Sequence, residues 1–179
     1  MGKSSVFEKE LSLIQDHSIR EFTAYCLDLA PDSFYTMPSS TSGKHHPAYA
    51  LGEGGLVRHT KAAVKIAHDL LNLGQNKRLD RDLIVSALIL HDTQKMAQDK
   101  NETNPMHPAV AASFIDNCGA SFRGISLGDA CSIRRMVLCH MGQWNNNGAL
   151  PNPLDDDERF VHMCDYLASR KYLNCDLEN

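Results

Sequence analysis

The segment Ala87-Leu-Ile-Leu-His-Asp-Thr-Gln-Lys95 does most to limit what this chain can fold into. It begins as a plain apolar run and ends in adjacent His91 and Asp92, with Lys95 three residues further on. A histidine and a carboxylate at the end of a greasy helix carry a heavy desolvation cost unless other groups pair with them. Any fold that buries this run must therefore bring partners to its end.

Four residues of suitable chemistry stand in similar positions elsewhere: His59, His107, His140 and Asp165. Each lies on or beside an apolar face read at helical spacing. His59 precedes Ala63, Ile66, Ala67, Leu70 and Leu71 in a helix predicted over 56–73, with Gly74 as its stop. Asp80 is predicted to cap the next helix, where Ile84, Ala87, Leu88 and His91 share a face. His107-Pro108 opens another, proline being tolerated in a first turn, and Val110, Ala111 and Phe114 follow on the same side. Ile133, Met136, Val137 and His140 align over 129–141. The last helix is predicted over 155–173, with Val161, Cys164, Asp165, Ala168 and Tyr172 near one face.

Two amphipathic helices precede these, over 5–14 and 18–30, before Pro31-Asp32-Ser33 breaks the pattern. Residues 36–55 carry no periodicity. A structureless stretch that long in a domain is usually functional or disordered, and His45, His46 and Gly54-Gly55 favour function. No segment alternates convincingly with period two. The expected fold is all-α: a helical bundle in one domain over 1–179. Residues 1–35 would pack on its core and 36–55 would form an active-site loop.

With 179 residues the chain is long enough for one sizeable core. A net charge of −4 gives no field that would attract duplex DNA. No apolar run approaches the roughly 18 residues of a membrane span. Six cysteines without any C-x-x-C read as free thiols in a reducing compartment, so a cytoplasmic location is expected. Oligomeric state stays open.

A lone histidine on an apolar face is usually a hydrogen-bonded core residue. Six such coincidences, His59, His91, Asp92, His107, His140 and Asp165, on five successive helices point instead to a metal site. Imidazole and carboxylate together suit Mn, Fe, Co, Ni or Zn, and a dication neutralises buried carboxylates.

The order His…His-Asp…His…His…Asp resembles the HD-domain superfamily of metal-dependent phosphohydrolases. The likeness is wider than the ligands. Pro38, His45-His46 and Gly54-Gly-Leu-Val-Arg-His-Thr60 resemble the lead-in of the HD domain in YhaM-type 3′→5′ exoribonucleases. Leu90-His-Asp-Thr-Gln-Lys95, Met106-His-Pro-Ala-Val-Ala-Ala112, Leu138-Cys-His-Met-Gly142 and His162-Met-Cys-Asp-Tyr-Leu167 follow in that family's order. There are departures. Gln94 stands for a usual glycine, Met141 for the second histidine of a pair, and Ala168-Ser169 for an acidic and a small residue.

The resemblance implies a binuclear centre holding two divalent ions, with Mn, Fe, Co or Ni favoured over Mg or Zn. Asp92 would bridge them. His59, His91 and Asp165 would complete one site, and His107 and His140 the other. Two ions ~3.5–4 Å apart can hold a bridging hydroxide for in-line attack on phosphorus. Lys95 would neutralise charge developing on the phosphoryl group. His45 and His46 are candidates for binding phosphate or protonating the leaving oxygen, Trp144 for stacking on a base, and Arg58 and Arg170 for phosphate contacts. Such exoribonucleases carry a further RNA-binding domain of OB type, for which 179 residues leave no room. The expected substrate is therefore a nucleotide or short oligonucleotide rather than long RNA. Three alternatives stand beside this reading: an HD-type di-iron oxygenase, which uses a very similar ligand set; a single-metal nucleotide triphosphohydrolase, which would not need His107 and His140; and a non-catalytic ligand-binding module, against which the intact set argues.

Overall fold

A computed structural model of the chain describes residues 2–40, 43, 46–96, 102–145 and 147–172. Within them the α-helices run in the order α1 (Glu8–Leu11), α2 (His17–Leu29), α3 (Asp32–Thr36), α4 (Gly55–Leu71), α5 (Arg81–Leu90), α6 (His107–Ser121), α7 (Leu127–Cys139) and α8 (Asp156–Ala168). The described residues hold no strand, only an isolated antiparallel bridge between Met96 and Thr103, so the all-α expectation is met.

Helix α5 is the axis of the bundle. Every residue from Leu83 to Leu90 is buried, and α2, α4, α7 and α8 all pack against it. A helix that is apolar all round belongs inside a core rather than on its rim. The single face read from Ile84, Ala87 and Leu88 was therefore too narrow. Its one polar interior residue, Ser86, is paired with Thr23 of α2 through their hydroxyls at 2.7 Å. Asp80 caps the helix as predicted, accepting from the Leu83 amide at 3.2 Å.

Several helix ends differ from the periodicity reading, each for a local reason. The stretch 5–14 divides into a 3-10 turn (Lys3–Phe7) and α1. Ser5 and Ser12 there turn their hydroxyls onto the Gly2 and Lys9 carbonyls, in competition with the helix ladder. Residues past Pro31 form the short α3 instead of a break, with Pro31 at its N-cap. Helix α4 stops at Leu71, before Gly74, because the Asn76 side chain donates to the Leu70 carbonyl at 2.8 Å. Helix α7 starts two residues early because Ser126 accepts from the Asp129 amide. A capping box of Asp155 and Glu158 starts α8, which ends at Ala168 and leaves Tyr172 exposed beyond it.

The described part of 36–55 is tied at its ends rather than loose. Amides of Gly54 and Leu56 donate to the carbonyls of Thr36 and Met37 at 2.8 and 2.9 Å, and Ser39 donates to Ala50 at 3.0 Å. Gly54 takes the left-handed conformation at φ 69°. At Gly55 an added Cβ would run into the Ala50 carbonyl and come within 3.2 Å of the Pro38 Cα. Helix propensity alone favours Gly55→Ala by ~1 kcal/mol. Overpacking against backbone costs about 1–3 kcal/mol and should win, since the clash is with main chain. Gly55→Ala is expected to melt several degrees lower in a thermal scan. An unchanged or raised midpoint would show that the loop is not pressed onto the helix.

Candidate metal centre

Five helix ends supply the six side chains. His59 lies in the second turn of α4, and His107 is the first residue of α6. His91 and Asp92 directly follow α5, His140 follows α7, and Asp165 sits in the last turn of α8. Three helix C-termini, each carrying partial negative charge, thus converge with two carboxylates on one point, which favours a cation there. The four histidines and Asp92 are buried, while Asp165 keeps 16 % of its side chain exposed.

Three of the rings are oriented by carbonyl groups. The Nδ1 of His91 donates to the Leu88 carbonyl (2.6 Å), that of His107 to Asn104 (2.9 Å), and that of His140 to Val137 (2.6 Å). The Leu88 and Val137 carbonyls belong to final helical turns, where no further amide reaches them, so the rings act as caps. A carbonyl cannot donate, so Nδ1 carries the hydrogen. In the neutral form of such a ring Nε2 is a bare lone pair, and in all three it is aimed at the centre.

These lone pairs face one another. The Nε2 of His107 is 3.1 Å from the Nε2 of His140 and 3.0 Å from Asp92 Oδ1, and His140 is 3.7 Å from the same oxygen. Across the carboxylate, Asp92 Oδ2 lies 3.3 Å from His91 Nε2 and 3.6 Å from His59 Nε2. Both of those rings also approach Asp165 Oδ1, at 3.5 and 3.0 Å. Among the described residues, buried Asp92 Oδ1 and His91 Nε2 have no hydrogen-bond partner. Donors bound to one ion at ~2.1 Å sit roughly 3.0–3.4 Å apart, close to the spacings here. Two groupings, His59–His91–Asp165 and His91–Asp92–His140, have donor atoms within 4.8 Å of one another. The residues fit a divalent cation, and His91 is common to both groupings.

Without a cation, protons and Lys95 balance the charge. Burial opposes the charged form of His91, but Asp92 and Asp165 outweigh it and push the ring up to about 10. Burial, then His91 and His107, lowers His140 to about 3. Burial also lowers His59. Asp92 is held well below the carboxylate range: Lys95 and His91 override its burial. Asp165 is lowered in the same way, the His59 and His91 rings overriding its burial.

A cleft of about 440 Å³ opens onto the centre. Ser39, Ser40, His46, Lys95 and Thr103 line it, and His107 and Asp165 reach it from the centre. Met141, Trp144, His162, Tyr166, Ser169 and Arg170 form the rest. Lys95 Nζ bonds Asp92 Oδ2 at 2.6 Å and lies 3.5 Å from Ser39 Oγ, so it links the centre to the loop. The structure thus brings together His59, His91, Asp92, Lys95, His107, His140 and Asp165, with His46, Trp144 and Arg170 beside them. Arg58 is placed elsewhere. Its guanidinium is occupied by the carbonyls of Tyr49 (2.6 Å), Leu51 (2.9 Å) and Glu53 (2.9 Å), and it does not line the cleft. That arginine clasps the loop instead of meeting a phosphate. His45 lies outside the described residues.

Sequence reasoning missed His162, Tyr166 and Ser169 as cleft residues. A signal was available: 162, 165, 166 and 169 recur at i, i+3, i+4 and i+7, which puts them on the helical face of Asp165.

Comparisons with known proteins agree with this picture. The family model of the HD domain matches residues 56–170, the stretch that carries all six side chains of the centre. The 3′-5′ exoribonuclease YhaM of Geobacillus sp. (strain WCH70) is 26 % identical over 184 aligned residues. The alignment takes in 95 % of this chain and 53 % of that protein, so the chain spans about half of that relative's length. No solved structure gives a significant match.

Proposed function

The chain belongs to the HD-domain family, and on that premise we propose that it is a metal-dependent phosphohydrolase cleaving ester bonds of a nucleotide or short oligonucleotide. One observation carries the reading. Three metal-ligating atoms, His107 Nε2, His140 Nε2 and Asp92 Oδ1, meet at 3.0–3.7 Å, an arrangement that suits a cation. The exoribonuclease relative supports a nucleotide ester as substrate. Bound divalent ions would polarise a phosphoryl oxygen and supply an activated water at neutral pH.

The chain's own residues do the rest. His59, His91 and Asp165 would hold one ion and His107 and His140 a second, with Asp92 shared between the sets through its two oxygens. Lys95 brings positive charge to the cleft wall beside Asp92, where a phosphoryl group facing the centre would lie. Burial, then Lys95 and His59, holds His46 at about 4, so it enters the reaction neutral. As a neutral ring it orients substrate by a hydrogen bond and adds no charge.

The test is a screen of metal-reconstituted protein against nucleotides, cyclic dinucleotides and short oligonucleotides, with His91→Ala as the blank. Oxygen uptake without ester cleavage would sink the reading in favour of an oxygenase. Lys95→Met is expected to lower kcat about 10²–10³-fold while the metal content stays unchanged, because it removes charge stabilisation and no ligand. Kinetics together with metal analysis of the same preparation separate the two effects.

A further inference from the structure

We propose that Trp144, Tyr166 and Arg170 form a nucleobase platform on the cleft wall, so that the base of a single terminal nucleotide is recognised along with its phosphate. This rests on the phosphohydrolase reading and narrows its substrate class.

Trp144 and Tyr166 are stacked, with ring centroids 5.1 Å apart and planes inclined by 9°. The Arg170 guanidinium lies over Tyr166 at 4.3 Å and 5.8 Å from the Trp144 ring. Ser169 Oγ accepts from that guanidinium at 2.8 and 3.2 Å, which fixes its plane. A tryptophan that merely closed a core would be buried. Trp144 keeps 45 % of its surface exposed, on a cleft it shares with Lys95 and Asp165.

The platform is fixed to the centre by backbone. Tyr166 directly follows Asp165, and Arg170 lies one turn further on. Trp144 sits on a 3-10 turn (Gly142–Trp144) that begins two residues after His140. Gly142 takes φ 53°, and an added Cβ there would enter the His162 ring. That ring is held in turn, donating from Nδ1 to the His140 carbonyl at 2.7 Å. Both aromatic rings are thus registered to ligand-bearing helix ends, so a base lying on Trp144 has its phosphate directed to the metal centre. Rigid aromatic rings lose little entropy on binding, and every base has a face to stack. The cleft's 440 Å³ falls at the lower end of small-molecule sites, which suits one nucleotide and not a duplex.

The test compares two esters with the same leaving group, thymidine 5′-monophosphate p-nitrophenyl ester and methyl p-nitrophenyl phosphate. Metal-loaded protein is expected to prefer the first in kcat/KM. Trp144→Leu should shrink that preference roughly 10- to 100-fold, while Trp144→Phe retains most of it. Trp144 is also the sole tryptophan, so its fluorescence reports the contact directly. Thymidine 5′-monophosphate should quench it saturably and ribose 5-phosphate should not. A preference unchanged in Trp144→Leu, or equal effects of the two phosphates on the emission, would overturn the platform. If neither ester is cleaved, the phosphohydrolase reading fails on its own, and the fluorescence titration still decides the platform.

Discussion

Replacing Asp92 by asparagine is expected to reduce hydrolysis by about 10³-fold or more and to strip metal from the protein. Its two oxygens face different sets of rings, Oδ1 towards His107 and His140 and Oδ2 towards His59 and His91. Asp92 thus reaches both sets through one carboxylate. Asparagine keeps the shape and one acceptor but loses the negative charge that a dication needs. The same loss releases Lys95, whose ammonium is 2.6 Å from Oδ2, and removes the first charge that pushes His91 upward. Metal analysis of purified Asp92→Asn should therefore give sub-stoichiometric metal, and kcat/KM should fall in parallel. The fold should survive, because the vacated charge balance can be met by His91 giving up its proton. A variant that holds a full complement of metal yet is inactive would mean that Asp92 acts on substrate and not as a ligand.

How much of this could be read from the sequence differs from residue to residue. The six centre residues were legible because each stands at three or four positions from apolar neighbours, and helical period converts that spacing into a shared face. The central position of α5 was not, since a run buried on every side gives no stripe to read. Arg58 misled because its place beside Gly54-Gly55 suits phosphate binding, while its contacts run back to carbonyls of the loop before it. Those carbonyls are backbone groups without a sequence signature. The Trp144–Tyr166–Arg170 stack lay hidden for a related reason. It joins a turn after α7 to the end of α8, and only the three-dimensional packing of those two ends brings the rings together.

Metal should stabilise the whole fold, not only the site. The candidate ligands lie in or directly after α4, α5, α6, α7 and α8, so an ion that binds them would be lost when any of these helices leaves the bundle. Metal-free protein must keep two carboxylates and four imidazoles together, offset by the raised His91 ring and Lys95. A ligand that binds only the native state adds RT ln(1 + [L]/Kd), about 2.7 kcal/mol at a hundredfold excess over Kd. At roughly 2–4 °C per kcal/mol for a chain of this size, the midpoint should rise by about 5–10 °C on adding Mn²⁺ and fall back with chelator. The increment should shrink as the pH is lowered, because protons compete for the same imidazoles and carboxylates. It should also be absent in Asp92→Asn, which separates binding at this centre from metal adsorbed on surface carboxylates. A midpoint insensitive to both Mn²⁺ and chelator in the wild type would leave the convergence of five helix ends without a cation to justify it.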